Sequence, residues 1–132
     1  MDNYYKLTIP YEPTPKARAR TFLRNGKYMS FTPSKTVNAE QFIRACLLEQ
    51  KVIPIVNKAV RLIIDFYLKR PASLPKRVVE PIKRPDIDNL VKTVLDALNG
   101  YAFKDDSQIV MLTANKYYGN PPHIDIIIME IE

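Results

Sequence analysis

Apolar positions recur along the chain at two periods, and the switches between them divide it into elements. Residues 4 to 10 alternate, with Tyr5, Leu7 and Ile9 against Tyr4, Lys6 and Thr8, the period of a strand with one buried face. The run "FLRNGKYMSF" sets Asn25-Gly26 between two β-prone segments and predicts a hairpin, a basic one. Thr32-Pro33 offers an N-cap and a first helical residue. Behind it Ala39, Phe42, Ile43, Cys46 and Leu47 follow the i, i+3, i+4, i+7, i+8 spacing of a core-facing helix. After Pro54, alternation returns: Val60, Leu62, Ile64, Phe66 and Leu68 against Arg61, Asp65 and Tyr67 predict a long strand packed on that helix.

Residues 69 to 85, "KRPASLPKRVVEPIKRP", interrupt the pattern with four prolines and six cations, so they read as a mobile basic loop with no core of its own. Such a loop is either a solvated connection or a nucleic-acid contact. A second helix follows "PDID", buries Leu90, Val91, Val94, Leu95 and Leu98, and stops at Asn99-Gly100. Gln108 to Tyr117 and His123 to Ile131 read as two further strands, joined by "YGNPP" as a connector of hairpin type. The order predicts a small single α+β domain over residues 1 to 132. Two main helices should pack on one face of a mixed or antiparallel sheet of about four strands, with a basic β-hairpin added.

Composition narrows the class. At 132 residues and 15.3 kDa, with 46% hydrophobic and 26% charged residues, the chain is long enough for one real core and too short for two. A single cysteine excludes an internal disulfide and any cysteine-based zinc site, and Cys46 falls on the first helix's apolar stripe, where a core role is expected. The chain opens without a signal-peptide pattern and has no apolar run near the length of a membrane span, so a cytoplasmic protein without membrane contact is expected.

Twenty Lys and Arg against fourteen Asp and Glu give a net charge of +6 and a pI near 9.4, which points toward a polyanionic partner. The distribution says more. Residues 1 to 35 carry seven basic and two acidic side chains, residues 69 to 92 seven and three, and residues 93 to 132 two and six.

The acids therefore need a reason. Asp88, Lys92 and Asp96 follow one another at i, i+4, i+8 on the polar side of the second helix. Asp88 stands where an N-cap belongs, and capping is a sufficient account of it taken alone. It does not account for Asp86, which Pro85 should hold extended with its carboxylate on the same side, nor for Asp105-Asp106 before the next strand. Three or four converging carboxylates repel one another unless a hard divalent cation neutralises them, and an all-oxygen set favours Mg²⁺ over zinc. The single histidine, His123, starts the last strand and is expected at the surface. An EF-hand is excluded, because the loop starting at Asp86 has Val91 where glycine is required and Ala97 where a bidentate Glu should stand. In a basic protein, carboxylate-held Mg²⁺ implies phosphate chemistry, with the ion activating water and stabilising the leaving oxygen and Lys92 offsetting phosphate charge. A metal-dependent nuclease or a phosphotransferase fits. The chain has only three glycines and no glycine-rich phosphate loop, which disfavours an NTP-binding enzyme.

The run "RPDIDNLVKTVLDALNG", followed by "FKDDSQI" and "KYYGNPPHIDIII", resembles the RusA-type endodeoxyribonucleases, small Holliday-junction resolvases of bacteria and their prophages. "TIPYEPTPKARAR" and "FTPSKT" are similar to the amino-terminal part of that family, so the likeness spans nearly the whole chain. It implies a homodimer that binds four-way DNA junctions and makes paired, symmetric nicks in recombination and repair, using Mg²⁺ or Mn²⁺. The family's catalytic aspartates fall on Asp86, Asp88 and Asp106 and its lysine on Lys92, with Asp105 a supporting or alternate metal ligand. Asp96 also matches a family acid, with metal binding and a helix-pairing or exposed role both open.

Lys16, Arg18, Arg20, Arg24, Lys27, Lys76, Arg77, Lys83 and Arg84 are candidate phosphate contacts, because they cluster outside the apolar faces. Tyr28, Phe31, Tyr101 and Phe103 could stack on unpaired bases or serve in packing. Two other readings stand beside the resolvase: a nuclease of flaps or forks, and a junction-binding module without catalysis.

Overall fold

The structure, a computed structural model, describes residues 4–132. Its elements run in the order β1 (Tyr4–Ile9), β2 (Arg20–Arg24), β3 (Lys27–Phe31), α1 (Ser34–Glu49), β4 (Ala59–Leu68), α2 (Ile87–Leu98), β5 (Ile109–Tyr118) and β6 (His123–Ile131). Four of the strands form one mixed sheet in the order β1-β6-β4-β5, and β2 pairs only with β3. The expected α+β architecture is present, with both helices against one face. In β4 every second residue from Val60 to Leu68 is buried, and Ile124, Ile126 and Ile128 of β6 continue that layer. Leu7 and Ile9 add β1, Ile43 and Leu47 add α1, and Leu90, Val94 and Leu98 add α2. Burying side chains of this size accounts for most of the cohesion, at about 1.5–3 kcal/mol each.

One pairing differs from the sequence reading. The last two strands do not form a hairpin: β5 lies parallel to β4, while β6 inserts between β1 and β4, antiparallel to both. Alternation shows which side of a strand is buried but not which strand lies beside it. The central position went to β6, three of whose five isoleucines are buried, and the edge to β5, whose Val110, Met111 and Leu112 are exposed. Gly119, in the connector that passes the end of β4, donates to the Leu68 carbonyl at 2.9 Å. A Cβ there would stand 2.7 Å from Cβ of Tyr67, so only glycine lets the chain pass this close.

The parallel β4–β5 pair requires a crossover, and α2 supplies it. The helix therefore starts near the end of β4 and returns toward the start of β5. Arg44 of α1 fixes its far end, donating to the Asp96 carbonyl at 2.9 Å and the Ala97 carbonyl at 3.2 Å and lying 5.0 Å from the Tyr101 ring centroid. A cation on the last-turn carbonyls satisfies groups the helix leaves open and opposes its dipole.

Other expectations shift more modestly. The first helix begins at Ser34, one residue later than expected, with Pro33 at its N-cap. Asn25 and Gly26 take φ of 52° and 75°, the left-handed pair that a two-residue hairpin turn needs, and all ten residues of β2 and β3 are exposed. The 69–85 loop has more order than expected: the Arg70 guanidinium donates to the carbonyls of Val78 and Pro75, both at 2.7 Å, and lies over the Tyr118 ring. His123 is part-buried rather than a plain surface residue, its ring stacked on Tyr67 with centroids 4.2 Å apart. Cys46 is a half-buried thiol whose pKa is raised by burial and then by Glu49, which suits a packing role.

Candidate metal and DNA site

Asp86 is the N-cap of α2, with extended backbone, and its carboxylate makes no capping bond. The cap was expected at Asp88, which instead lies in the first helical turn, where its Oδ1 accepts the Asn89 N–H at 3.0 Å. Both carboxylates are exposed and lie within one turn of each other, at a helix end whose dipole favours anions. Lys92 is exposed one turn further on.

Asp86 opens onto a cleft of about 680 Å³ whose walls include Arg18, Lys35, Arg84 and Asn89. The segment leading to it is tied to the sheet by Lys116 of β5, whose Nζ donates to the Lys83 carbonyl at 2.9 Å and the Pro85 carbonyl at 3.0 Å. Opposite, the 11–19 segment is fastened by Lys16. Its backbone N–H donates to the Asn89 carbonyl, and its Nζ meets Glu40 Oε1 at 2.7 Å and Asp96 Oδ2 at 3.0 Å. Burial pulls the Lys16 pKa down, but the hydrogen bonds and charges of Glu40 and Asp96 reverse this and leave it raised. Lys16 is thus committed to two carboxylates and is not a free phosphate contact, and Asp96 takes the helix-pairing role.

Asp105 and Asp106 lie elsewhere. They open the short 3₁₀ turn Asp106–Gln108 just before β5, where the Gln108 amide donates to the carbonyls of Ile55 and Lys58. That is the start of β4, whereas the cleft borders Leu68 at its end. A ten-residue strand spans roughly 30 Å, so the two acidic pairs sit at opposite poles of the domain. The convergence expected within one chain does not occur. Among the described residues, no three His, Cys, Asp or Glu side chains are grouped closely enough to hold a metal ion. Within this pair Asp105 caps the 3₁₀ turn, accepting from the Ser107 N–H and hydroxyl, although both Asp105 and Asp106 are exposed. These Ser107 bonds hold the Asp105 carboxyl below the usual carboxylate range.

The other basic candidates divide by place. Arg18 and Arg84 line the cleft, Lys76, Arg77 and Lys83 are exposed on the proline-rich loop, and Arg20, Arg24 and Lys27 are exposed on the β2–β3 arm. On that arm Tyr28 is 83% exposed and Phe31 lies edge-on to Phe22, so these aromatics remain available, whereas Phe103 is fully buried and Tyr101 sits under Arg44.

The sequence that builds this cleft has counterparts among known proteins. Residues 10–129 match the family model described as Endodeoxyribonuclease RusA. The chain belongs to the RusA endodeoxyribonuclease family. It is also 32% identical over 136 residues to the "Uncharacterized protein YqaN" of Bacillus subtilis (strain 168), covering 96% of each chain. RusA membership implies a junction-resolving endodeoxyribonuclease acting on branched DNA. No helix is long and apolar enough to cross a membrane, among the described residues.

In this RusA-family chain the structure adds residues around the cleft that the sequence reading missed. Lys35 and Asn89 line the cleft, and Lys116 anchors the peptide that precedes Asp86. Lys116 left a signal: it occupies the helix-facing phase of β5, in register with buried Phe66, where a cation needs polar partners.

Proposed function

We propose that this protein is a divalent-metal-dependent resolvase that cuts Holliday junctions by paired symmetric nicks as a homodimer, with Mg²⁺ as its ion and Mn²⁺ able to substitute. The observation that carries this reading is the pair Asp86 and Asp88, both exposed and neither ion-paired with a basic side chain among the described residues, with Asp86 in the wall of a cation-lined cleft in a RusA-family chain. Their donors are all oxygen, which suits a hard cation; because Asp106 lies at the other pole of its own chain, the third ligand in the homodimer is Asp106 of the other protomer, with Asp105 supporting it. A bound ion supplies a nucleophilic water at neutral pH and charge stabilisation at the phosphate.

The chain's own residues do the rest. Arg18, Lys35 and Arg84 draw the backbone phosphates into the cleft, and Lys92 offsets charge on the scissile group. The arm residues Arg20, Arg24 and Lys27 and the loop residues Lys76, Arg77 and Lys83 hold neighbouring phosphates.

The test compares nicking of four-way, three-way, flap and linear DNA in Mg²⁺, in Mn²⁺ and in chelator, for the wild type and Asp88→Asn. Expected are paired cuts on the four-way junction that require metal, and an Asp88→Asn protein that binds but does not cut. Faster cutting of flaps or forks would redirect the substrate, and binding without any cutting would make the protein a structural module. Binding should also weaken steeply with salt, and Arg20→Ala with Arg24→Ala and Lys27→Ala should flatten the log–log slope by about two to three.

A further inference from the structure

The proline-rich connection between β4 and α2 turns its apolar residues in two directions. Pro81 is buried and Leu74 and Val78 are half-buried, which is how a loop rests on a domain. Val79 and Ile82 face away and are 70% and 83% exposed. The segment is also braced. Leu74, Val78 and Ile82 donate their N–H groups to the carbonyls of Pro71, Pro75 and Glu80 at 3.1, 3.0 and 3.0 Å, and Arg70 and Lys116 hold further carbonyls on either side. Ile82 therefore stands on a fixed support, with little ordering entropy left to lose when it meets a partner.

The surroundings say what the partner is. Lys76, Arg77, Lys83 and Arg84 are exposed around the pair, against one acid, Glu80. That surplus of cations repels a basic protein surface, a second copy of this chain included, and attracts a polyanion. Location narrows the partner further: Ile82 precedes Asp86 by four residues, so their backbones lie within about 14 Å, the rise of roughly four base pairs. Arg84, between them, lines the cleft. An aliphatic knob framed by cations beside a phosphate-binding cleft suits insertion into a base stack, with the cations holding the backbone while the side chain enters between bases.

We propose that Ile82, with Val79 beside it, inserts between bases at the branch point of the DNA and so gives the protein a preference for branched over continuous duplex. In a continuous duplex the wedge must break intact stacking, which opposes its entry. Where strands exchange, the stack is already interrupted, so the side chain leaves water with little opposition and junction binding gains what duplex binding does not. The branched substrate rests on the function proposed above; the wedge is read from the loop.

The test uses an immobile four-way junction carrying the fluorescent base 2-aminopurine at its branch point, and a linear duplex with the same label, both in chelator so that nothing is cut. Wild-type protein should unstack the probe and raise its fluorescence on the junction but not on the duplex. Ile82→Ser with Val79→Ser should abolish the rise and weaken junction binding about tenfold, the scale for withdrawing one aliphatic side chain from water. Duplex affinity should stay within about twofold, as for other exposed positions. Ile82→Leu should keep the rise and the junction affinity, and all variants should melt with the wild type. Unchanged junction affinity in the serine variant, an equal loss on junction and duplex, or a wild type that raises no fluorescence would each overturn the wedge. A serine variant that is monomeric where the wild type is dimeric would also overturn it, by assigning the pair to a protein interface. A wild type that shows the rise yet cuts no branched DNA in Mg²⁺ would instead sink the nuclease reading and leave the wedge standing.

Discussion

The two acidic pairs are alike in composition and opposite in commitment. Asp86 and Asp88 flank the first residue of a long, well-packed helix, beside a cleft walled by arginine and lysine, and among the described residues neither is ion-paired with a basic side chain. Asp105 and Asp106 open a three-residue turn, and one of the two is consumed in shaping it. The difference teaches that a carboxylate's neighbours decide whether it is structural or available. Within "DD", availability falls to Asp106.

The largest effect is expected at Asp106. Asp106→Asn should lower nicking by about 10²–10³-fold, the scale for losing one essential electrostatic group, with junction binding retained in a gel-shift assay. Asp105→Asn should cost far less activity and instead lower the melting temperature; if the two variants behave alike, the division of labour is wrong. The Asp105 capping contribution is present above the ordinary carboxylate pKa and fades as pH falls through its lowered value.

At the other pole, Lys116→Met removes the donor that holds the Lys83 and Pro85 carbonyls, and should reduce activity by about 10–100-fold, as loss of a support to metal ligands does. A raised metal requirement with unchanged melting temperature would mark it as a positioning residue. The smallest effect is expected at Lys16, whose replacement by Met leaves Glu40 and Asp96 facing each other partly buried and should destabilise the fold by about 1–2 kcal/mol in urea unfolding. That stability is fully present below the ordinary lysine pKa and is lost only as pH rises through the raised one, so it is constant across neutral pH.

Much of this was legible beforehand where burial has a period. The alternation in residues 60–68 and 123–131 marked β4 and β6 almost to the residue, and the stripe from Leu90 to Leu98 marked α2. Asp86 and Asp88 stood out because capping can explain only one of two such neighbours. Strand order was hidden, since "YGNPP" carries the composition of a tight turn whether its strands pair or are separated by a third. Lys16 read as a free cation because its partners Glu40 and Asp96 are far away in sequence, and the distance between the two acidic poles depends on the parallel pairing that periodicity does not encode.

The position of β6 carries one more consequence. It is hydrogen-bonded to both β1 and β4, yet it leaves the ribosome after every other element described here. Until then β1 and β4 have no strand joining them, so the four-stranded sheet is assembled after translation has passed residue 123. A chain halted earlier has the basic arm but lacks the strand that joins β1 to β4.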